Sequence, residues 1–166
     1  DFEKAIKESS KVLAIRGSVV PSTLEKVTLV AKRADGTQAS GESTIPKVTG
    51  AVSPIRKVHL DPASVKATPE ALTAIKEADA VVLGPGSLFT SVLPNLLVDG
   101  IAEGILRSRA VKIYLCNVMT QHGETDDFTA SAHVEAILRH TDHGLIDYAF
   151  VNTAKIPQHL LEKYKT

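Results

Sequence analysis

Glycines, amides and hydroxyls gather at the ends of three apolar runs, and these segments are the part of the chain best equipped to hold a ligand. Ala80-Val81-Val82-Leu83 leads into Gly84-Pro85-Gly86-Ser87, Val111–Cys116 leads into Asn117-Val118-Met119-Thr120-Gln121, and Tyr148–Val151 leads into Asn152-Thr153. Glycines after a buried strand let backbone come close to a ligand, and a helix that follows offers unpaired N–H groups to an anion. Ser87 adds a hydroxyl. The segment lacks the lysine and the spacing of a P-loop, and it is not the dinucleotide fingerprint. The competing reading is a tight strand-to-helix turn that happens to be glycine-rich.

The polar stretch from Asn117 to Asp126 is long for a strand-to-helix connection, where about 2–6 residues is usual, and long polar loops at strand exits often contact ligands. Glu124 and Asp126 can serve as a general base or as magnesium ligands, or can cap the next helix and complement its dipole. Capping is the preferred reading of Asp126, and binding through Asn117 and Thr120 is preferred to catalysis. The six histidines are scattered. His140 and His143 fall where a helix should end, which favours a cation, and no partners for a zinc site can be identified. His59 falls on a strand pattern. His122 lies in the candidate loop and is the histidine placed to act as an acid or base. Arg16, just before Gly17, suits either a helix dipole or a phosphate.

These residues need elements to position them. Residues 2–14 carry Phe2, Ile6 and Leu13 on one helical face. Val27, Leu29 and Ala31 alternate with Lys26, Thr28, Val30 and Lys32, a strand-like pattern, Asp35-Gly36 signals a type I′ hairpin, and a weaker return strand runs from Gln38 to Ile45. Ile55–Leu60 reads as another strand. Thr68-Pro69 places a capping hydroxyl before a first-turn proline, so a helix follows over Glu70–Ala78. Ala80–Leu83 lacks alternation, as expected for a strand covered on both faces. Pro94-Asn95 separates the segment Leu88–Leu93 from a helix over Leu96–Arg107. Thr125 or Asp126 caps a helix over Phe128–His140, Tyr148–Val151 is the last buried strand, and Pro157 opens a short terminal helix. Alternating strand and helix signals predict an α/β fold: a Rossmann-like parallel sheet with flanking helices and a small antiparallel hairpin element. In that arrangement the three loops leave one carboxyl edge, where open α/β sheets bind ligands.

Composition narrows the class. At 166 residues the chain can form one domain with a real core, and 43% hydrophobic with 23% charged residues is ordinary for a globular protein. Nineteen basic residues balance nineteen acidic ones, so the basic excess of a nonspecific nucleic-acid binder is missing. No apolar stretch approaches the ~18 residues of a membrane span. The lone Cys116 excludes an intrachain disulfide and fits a reducing, cytoplasmic setting. The first residue is Asp1, which reads as a cut from something longer.

At the candidate loops the chain resembles a known family. The stretch Gly84-Pro85-Gly86-Ser87-Leu88-Phe89-Thr90-Ser91, then Pro94-Asn95-Leu96-Leu97, Cys116-Asn117-Val118-Met119-Thr120-Gln121 and Gly123-Glu124-Thr125-Asp126 look like the CofD-like superfamily, and most like its bacterial gluconeogenesis-factor branch of the YvcK type. Arg16-Gly17, Val20-Pro21-Ser22-Thr23, Val151-Asn152-Thr153 and Ile156-Pro157 fit as well. The resemblance covers essentially the whole chain. It implies a Rossmann-like fold, UDP-sugar binding, and support of cell shape and cell-wall precursor supply under gluconeogenic growth. The other branch transfers a phospholactyl group onto a deazaflavin, which implies a magnesium-dependent 2-phospho-L-lactate transferase as the alternative function. The family begins with a glycine-rich strand-turn-helix that this chain lacks, so residues 1–166 resemble the C-terminal part of a single domain, with a helix and small sheet over 1–60 and βαβ units over 61–166. Phe89 stands where the family commonly has tyrosine, which removes any contact through a phenolic hydroxyl.

The expected site is therefore Gly84, Gly86, Ser87, Asn117, Thr120 and Asn152 around a nucleotide-sugar, with no catalytic residue assigned and no metal ligand. A homo-oligomer is expected if a sheet edge stays open.

Overall fold

The computed structural model describes residues 17–47, 52–155, 157, 158 and 162. The helix expected over 2–14, Arg16 and the helix expected from Pro157 fall outside the described residues or on too few of them to describe. Three strands, β1 (Thr28–Arg33), β2 (Gln38–Ser40) and β3 (Ile55–Asp61), form an antiparallel sheet in the order β2-β1-β3. The turn between β1 and β2 differs from the expected type I′. Gly36 has φ +88° whereas Asp35 is not left-handed. The Gly36 N–H donates to Arg33 O at 3.1 Å and the Arg33 N–H to Thr37 O at 2.9 Å, the pattern of a three-residue loop with a glycine bulge. Asp35 serves the turn by accepting from the Thr37 N–H at 2.9 Å and hydroxyl at 2.7 Å. The return strand is shorter than expected because Gly41 turns the chain at φ +92° and delivers Ile45 into the core, fully buried.

The second sheet is parallel. β4 (Ala80–Leu83), β5 (Val111–Leu115) and β6 (Tyr148–Phe150) lie in the order β4-β5-β6, with Val82 opposite Ile113 and Leu115 opposite Phe150. Helix α1 (Pro69–Glu77) precedes β4 and starts as its residues demand: the Thr68 hydroxyl accepts the Ala71 N–H at 3.2 Å and Pro69 sits in the first turn. After β4 comes a π-helical turn, Leu88–Val92, that continues into the short helix α2 (Leu93–Leu96). Pro94 thus lies in a first turn rather than acting as a break. The single helix expected over Leu96–Arg107 is also interrupted. Gly100 adopts φ +93°, and Asp99 is held by Val65, with Asp99 N–H donating to Val65 O at 2.9 Å, so helix α3 begins only at Ile101 and runs to Arg107.

Helix α4 (Ala130–His140) starts later than expected and with a different cap. Asp127 is left-handed at φ +58°, and the Thr129 hydroxyl accepts the Ala132 N–H at 3.1 Å. Neither Thr125 nor Asp126 caps it. The two sheets share one core with the helices, including Val58 from β3, Leu83 from β4, Tyr114 from β5 and Ile137 from α4. Each large aliphatic side chain fully buried there contributes roughly 1.5–3 kcal/mol. Two sequence expectations fail on the opposite face: β4 is not covered on both sides, with Val82 50% exposed, and β6 is not buried, with Tyr148 61% exposed.

His140 ties the halves together and is not the cation expected at a helix end. Its Nε2 accepts the Val58 N–H of β3 at 3.0 Å, which leaves Nδ1 to donate to Ala136 O at 2.6 Å. Burial holds its pKa below the usual histidine value; the Ala136 carbonyl opposes this, and nearby Arg139 and Lys57 add to the depression. The unfolded chain therefore takes up a proton near pH 6.5 that the folded chain refuses, and stability falls as pH drops below that value. In urea unfolding of the full-length protein between pH 7.5 and 5.5, His140→Gln is expected to flatten this decline. An unchanged slope would show that the proton uptake lies elsewhere.

Candidate functional site

The parallel pairing of β4, β5 and β6 sends their three following loops off the same carboxyl edge. The first loop is held by the second. Asn117 grips the backbone of Gly86 with both ends of its amide: Oδ1 accepts the Gly86 N–H at 3.0 Å and Nδ2 donates to Gly86 O at 2.8 Å. Ser87 donates its hydroxyl to Gln121 Oε1 at 2.6 Å. Gly84 needs to be glycine for a packing reason. It has φ +82°, and a Cβ there would stand 2.9 Å from the carbonyl oxygen of Leu115 on the neighbouring strand. Gly86 is different, since a Cβ on it would meet nothing closer than Ser91 at 3.6 Å.

Beneath this clamp lies a buried carboxylate. Glu124 is 2% exposed; its Oε1 accepts from the Thr90 hydroxyl at 2.8 Å and from Gln121 Nε2 at 3.0 Å, and its Oε2 accepts the Phe89 N–H at 3.2 Å. One side chain thus anchors the π-helical turn and, through Gln121, the Ser87 hydroxyl. Burial raises the Glu124 pKa, while the Thr90, Phe89 and Arg33 groups pull it back. Arg33, 5% exposed at the end of β1, reaches across to donate to Gly123 O at 3.1 Å, and to Ile45 O and Ser53 O at 2.8 Å each. The loop itself closes with the Gln121 N–H on the Thr125 hydroxyl at 2.9 Å and the Gly123 N–H on Asp126 at 2.7 Å. His122 Nδ1 lies 2.8 Å from the other Asp126 oxygen. Partial burial pushes the Asp126 carboxyl up, but the His122 and Gly123 bonds outweigh it and hold the pKa below the usual range.

The six expected site residues separate into two groups. Gly84, Gly86, Ser87 and Asn117 sit together, half-buried, in the interlocked loops. Thr120 and Asn152 are exposed, and the Asn152 side chain closes its own turn by accepting the Ala154 N–H at 3.0 Å. Asn117 and Ser87 spend named polar atoms on the protein itself, so their first duty is to shape the loop. Glu124 and Asp126 do not fit as a magnesium pair. Glu124 is 2% exposed and its Oε1 already accepts two hydrogen bonds, which leaves it little room for a hydrated magnesium ion, while Asp126 holds the loop through Gly123 and His122. Phe89 is 1% exposed and packs edge-on against Phe128 and His140 at 6.0 and 6.1 Å, so it serves the core. Arg33 carried no sequence signal, being one basic residue at a strand end. Gln121 and Glu124 were visible only as members of a polar loop.

A groove of about 800 Å3 lies beside the π-helical turn, lined by Ser22, Thr28, Ser43, Thr90 and Asn95 over an apolar floor that includes Leu29. Asn95 braces it, accepting from the Ser22 hydroxyl and donating to Ser91 O at 2.7 Å. Thr90 belongs to both the groove wall and the Glu124 network.

Comparison with known proteins agrees with this architecture. The family described as 2-phospho-L-lactate transferase CofD matches residues 1–166. The gluconeogenesis factor of Halalkalibacterium halodurans is 49% identical over 99% of this chain and 50% of its own length. That of Bacillus subtilis is 46% identical over 99% of this chain and 51% of its own length. A crystal structure of a UPF0052 family member from Bacillus halodurans superposes with a TM-score of 0.92 at 49% identity, covering 99% of this chain and 52% of that one. The chain thus spans about half the length of these relatives. With the α/β fold, the loop motifs and the family match in agreement, the chain belongs to the CofD family and is similar throughout to bacterial gluconeogenesis factors.

Proposed function

We propose that the full-length protein is a cytoplasmic regulatory factor that binds a UDP-sugar at the carboxyl edge of the parallel sheet. It contributes residues 1–166 as the C-terminal part of one CofD-like domain. The observation that carries this reading is the interlocked pair of loops. The Gly86 backbone is fixed by Asn117, and Ser87 by Gln121, at the edge where α/β sheets bind ligands. A loop held in one conformation by its own bonds suits nucleotide-sugar recognition, since groups already in place lose little freedom on binding. The relatives in Halalkalibacterium halodurans and Bacillus subtilis are named gluconeogenesis factors, which supports the regulatory role. Cell shape and cell-wall precursor supply under gluconeogenic growth are the processes the factor serves.

The second reading is the transferase named in the family description. It calls for a metal or a base beside the donor phosphates, and Glu124 and Asp126 are both engaged in holding loops. Incubating full-length protein with a panel of UDP-sugars, and separately with a nucleotide-activated phospholactyl donor, magnesium and a deazaflavin acceptor, separates the two. Binding of a UDP-sugar without consumption of either donor is expected. Rapid loss of the activated donor with acceptor present would replace the regulatory reading with the transferase.

A further inference from the structure

The groove beside the π-helical turn differs in chemistry from the loops it adjoins. Thr28, Ser43 and Ser91 supply hydroxyls to its lining, over an apolar floor to which Val27 and Leu60 contribute. Among the described residues, Glu42 is the only ionisable group in this lining, and no lysine, arginine or histidine accompanies it. Such a surface does not attract a phosphate, which calls for Arg, Lys or a helix N-terminus. It suits an uncharged ring that carries hydroxyl groups. Serine and threonine hydroxyls both donate and accept, and the C–H faces of a sugar ring can lie on apolar side chains. The volume of about 800 Å3 is in the range of small-molecule sites. The hydroxyls of Thr28, Ser43 and Ser91 are exposed and bond to no described residue, whereas Ser87 and Asn117 are engaged with the chain. Two contacts join groove and loop. A Cβ on Gly86 would stand 3.6 Å from the Ser91 Cβ, so the groove wall begins one side chain away from the Gly86 backbone. The Ser91 N–H donates to Ser87 O at 2.8 Å, which fixes that wall to the loop.

We propose that this groove holds the sugar of the bound nucleotide-sugar and selects sugars without an anionic substituent, with Glu42 as the group that rejects a carboxylate. In a nucleotide-sugar the anomeric carbon is bonded to an oxygen of the terminal phosphate. A pyrophosphate lying at Gly84–Ser87 therefore carries the ring past Ser91 and into the groove. Resting on the UDP-sugar reading of the loop edge, the division of labour is that the loops hold the pyrophosphate and the groove chooses the sugar. The Ser22 hydroxyl bonded to Asn95 joins two segments 73 residues apart in the groove wall, so the shape is set before a ligand arrives.

The test is calorimetric titration of the full-length protein with UDP, UDP-glucose and UDP-glucuronate, whose sugar carries a carboxylate. Wild type should bind UDP-glucuronate about 5-fold or more weakly than UDP-glucose, and Glu42→Gln should bring the two within about twofold. Ser43→Phe should fill the groove and weaken UDP-glucose about 10-fold or more while leaving UDP within about twofold. Glu42 is exposed and its side chain bonds to no described residue, so its substitution reads out the groove even where phenylalanine at 43 disturbs the turn. Unchanged UDP-glucose affinity in a folded Ser43→Phe variant, or an equal loss of UDP, overturns the placement of the sugar. UDP-glucuronate bound by wild type as tightly as UDP-glucose, or a gap that Glu42→Gln leaves intact, overturns the selection by charge. Wild type that binds neither UDP nor UDP-glucose fails the UDP-sugar reading itself, and the groove assignment falls with it.

Discussion

Glu124→Ala is expected to lower the unfolding free energy of the full-length protein by about 3 kcal/mol or more. The substitution removes one acceptor group and strands the Thr90 hydroxyl, the Phe89 N–H and the Gln121 amide in a buried space. Each buried donor left without a partner costs about 1–3 kcal/mol, and water entering the vacated volume recovers part of that. Glu124→Gln keeps the size but turns an amide NH2 toward groups that are themselves donors, so it should fall between wild type and alanine. Urea unfolding at pH 7 measures both. An alanine variant within about 0.5 kcal/mol of wild type would mean that the carboxylate is dispensable to the loops, and would return it to the list of candidate chemical groups.

Arg33→Met should cost a similar amount, about 3 kcal/mol, although methionine retains much of the aliphatic volume. The guanidinium donates to the carbonyls of Ser53, Ile45 and Gly123, and bonds to a charged donor contribute about 1.5–3 kcal/mol each before the cost of burying the charge is subtracted. The Gly123 bond links this residue to the loop that carries Glu124. The double variant should accordingly deviate from additivity by about 0.5 kcal/mol or more, as neighbours in one network do. Strict additivity would show that the antiparallel sheet and the loop 117–126 are stabilised separately.

The sequence carried the strands and the first helix well, because those depend on local rules. Apolar runs marked β4, β5 and β6, and Thr68-Pro69 marked the start of α1. Rules that depend on distant partners were invisible. Nothing near Gly100 in sequence shows that Asp99 pairs with Val65 and divides the expected long helix. Nothing near His140 shows that Val58 waits with an N–H, so a helix-end cation was expected where a neutral acceptor sits. The expectation of fully covered strands failed because, among the described residues, the helices share a core with one face of the parallel sheet, which leaves Val82 and Phe150 exposed on the other. At the candidate site the residue types were legible and the bonds that fix them were not: Asn117 and Ser87 hold the two loops to each other.

Whether those loops bind a UDP-sugar is addressed most directly by Gly86→Val. Gly86 has space for a Cβ, with Ser91 at 3.6 Å and Val92 at 3.9 Å as the nearest contacts, so the variant should keep its fold while its branched side chain fills the approach to the loop backbone. Calorimetric titration of full-length wild type and Gly86→Val with the UDP-sugar panel is the measurement. The predicted result is saturable binding by wild type and an affinity lower by about 10-fold or more in the variant, equivalent to about 1.4 kcal/mol. Equal affinities, with the variant folded, would contradict the placement of the ligand at this sheet edge.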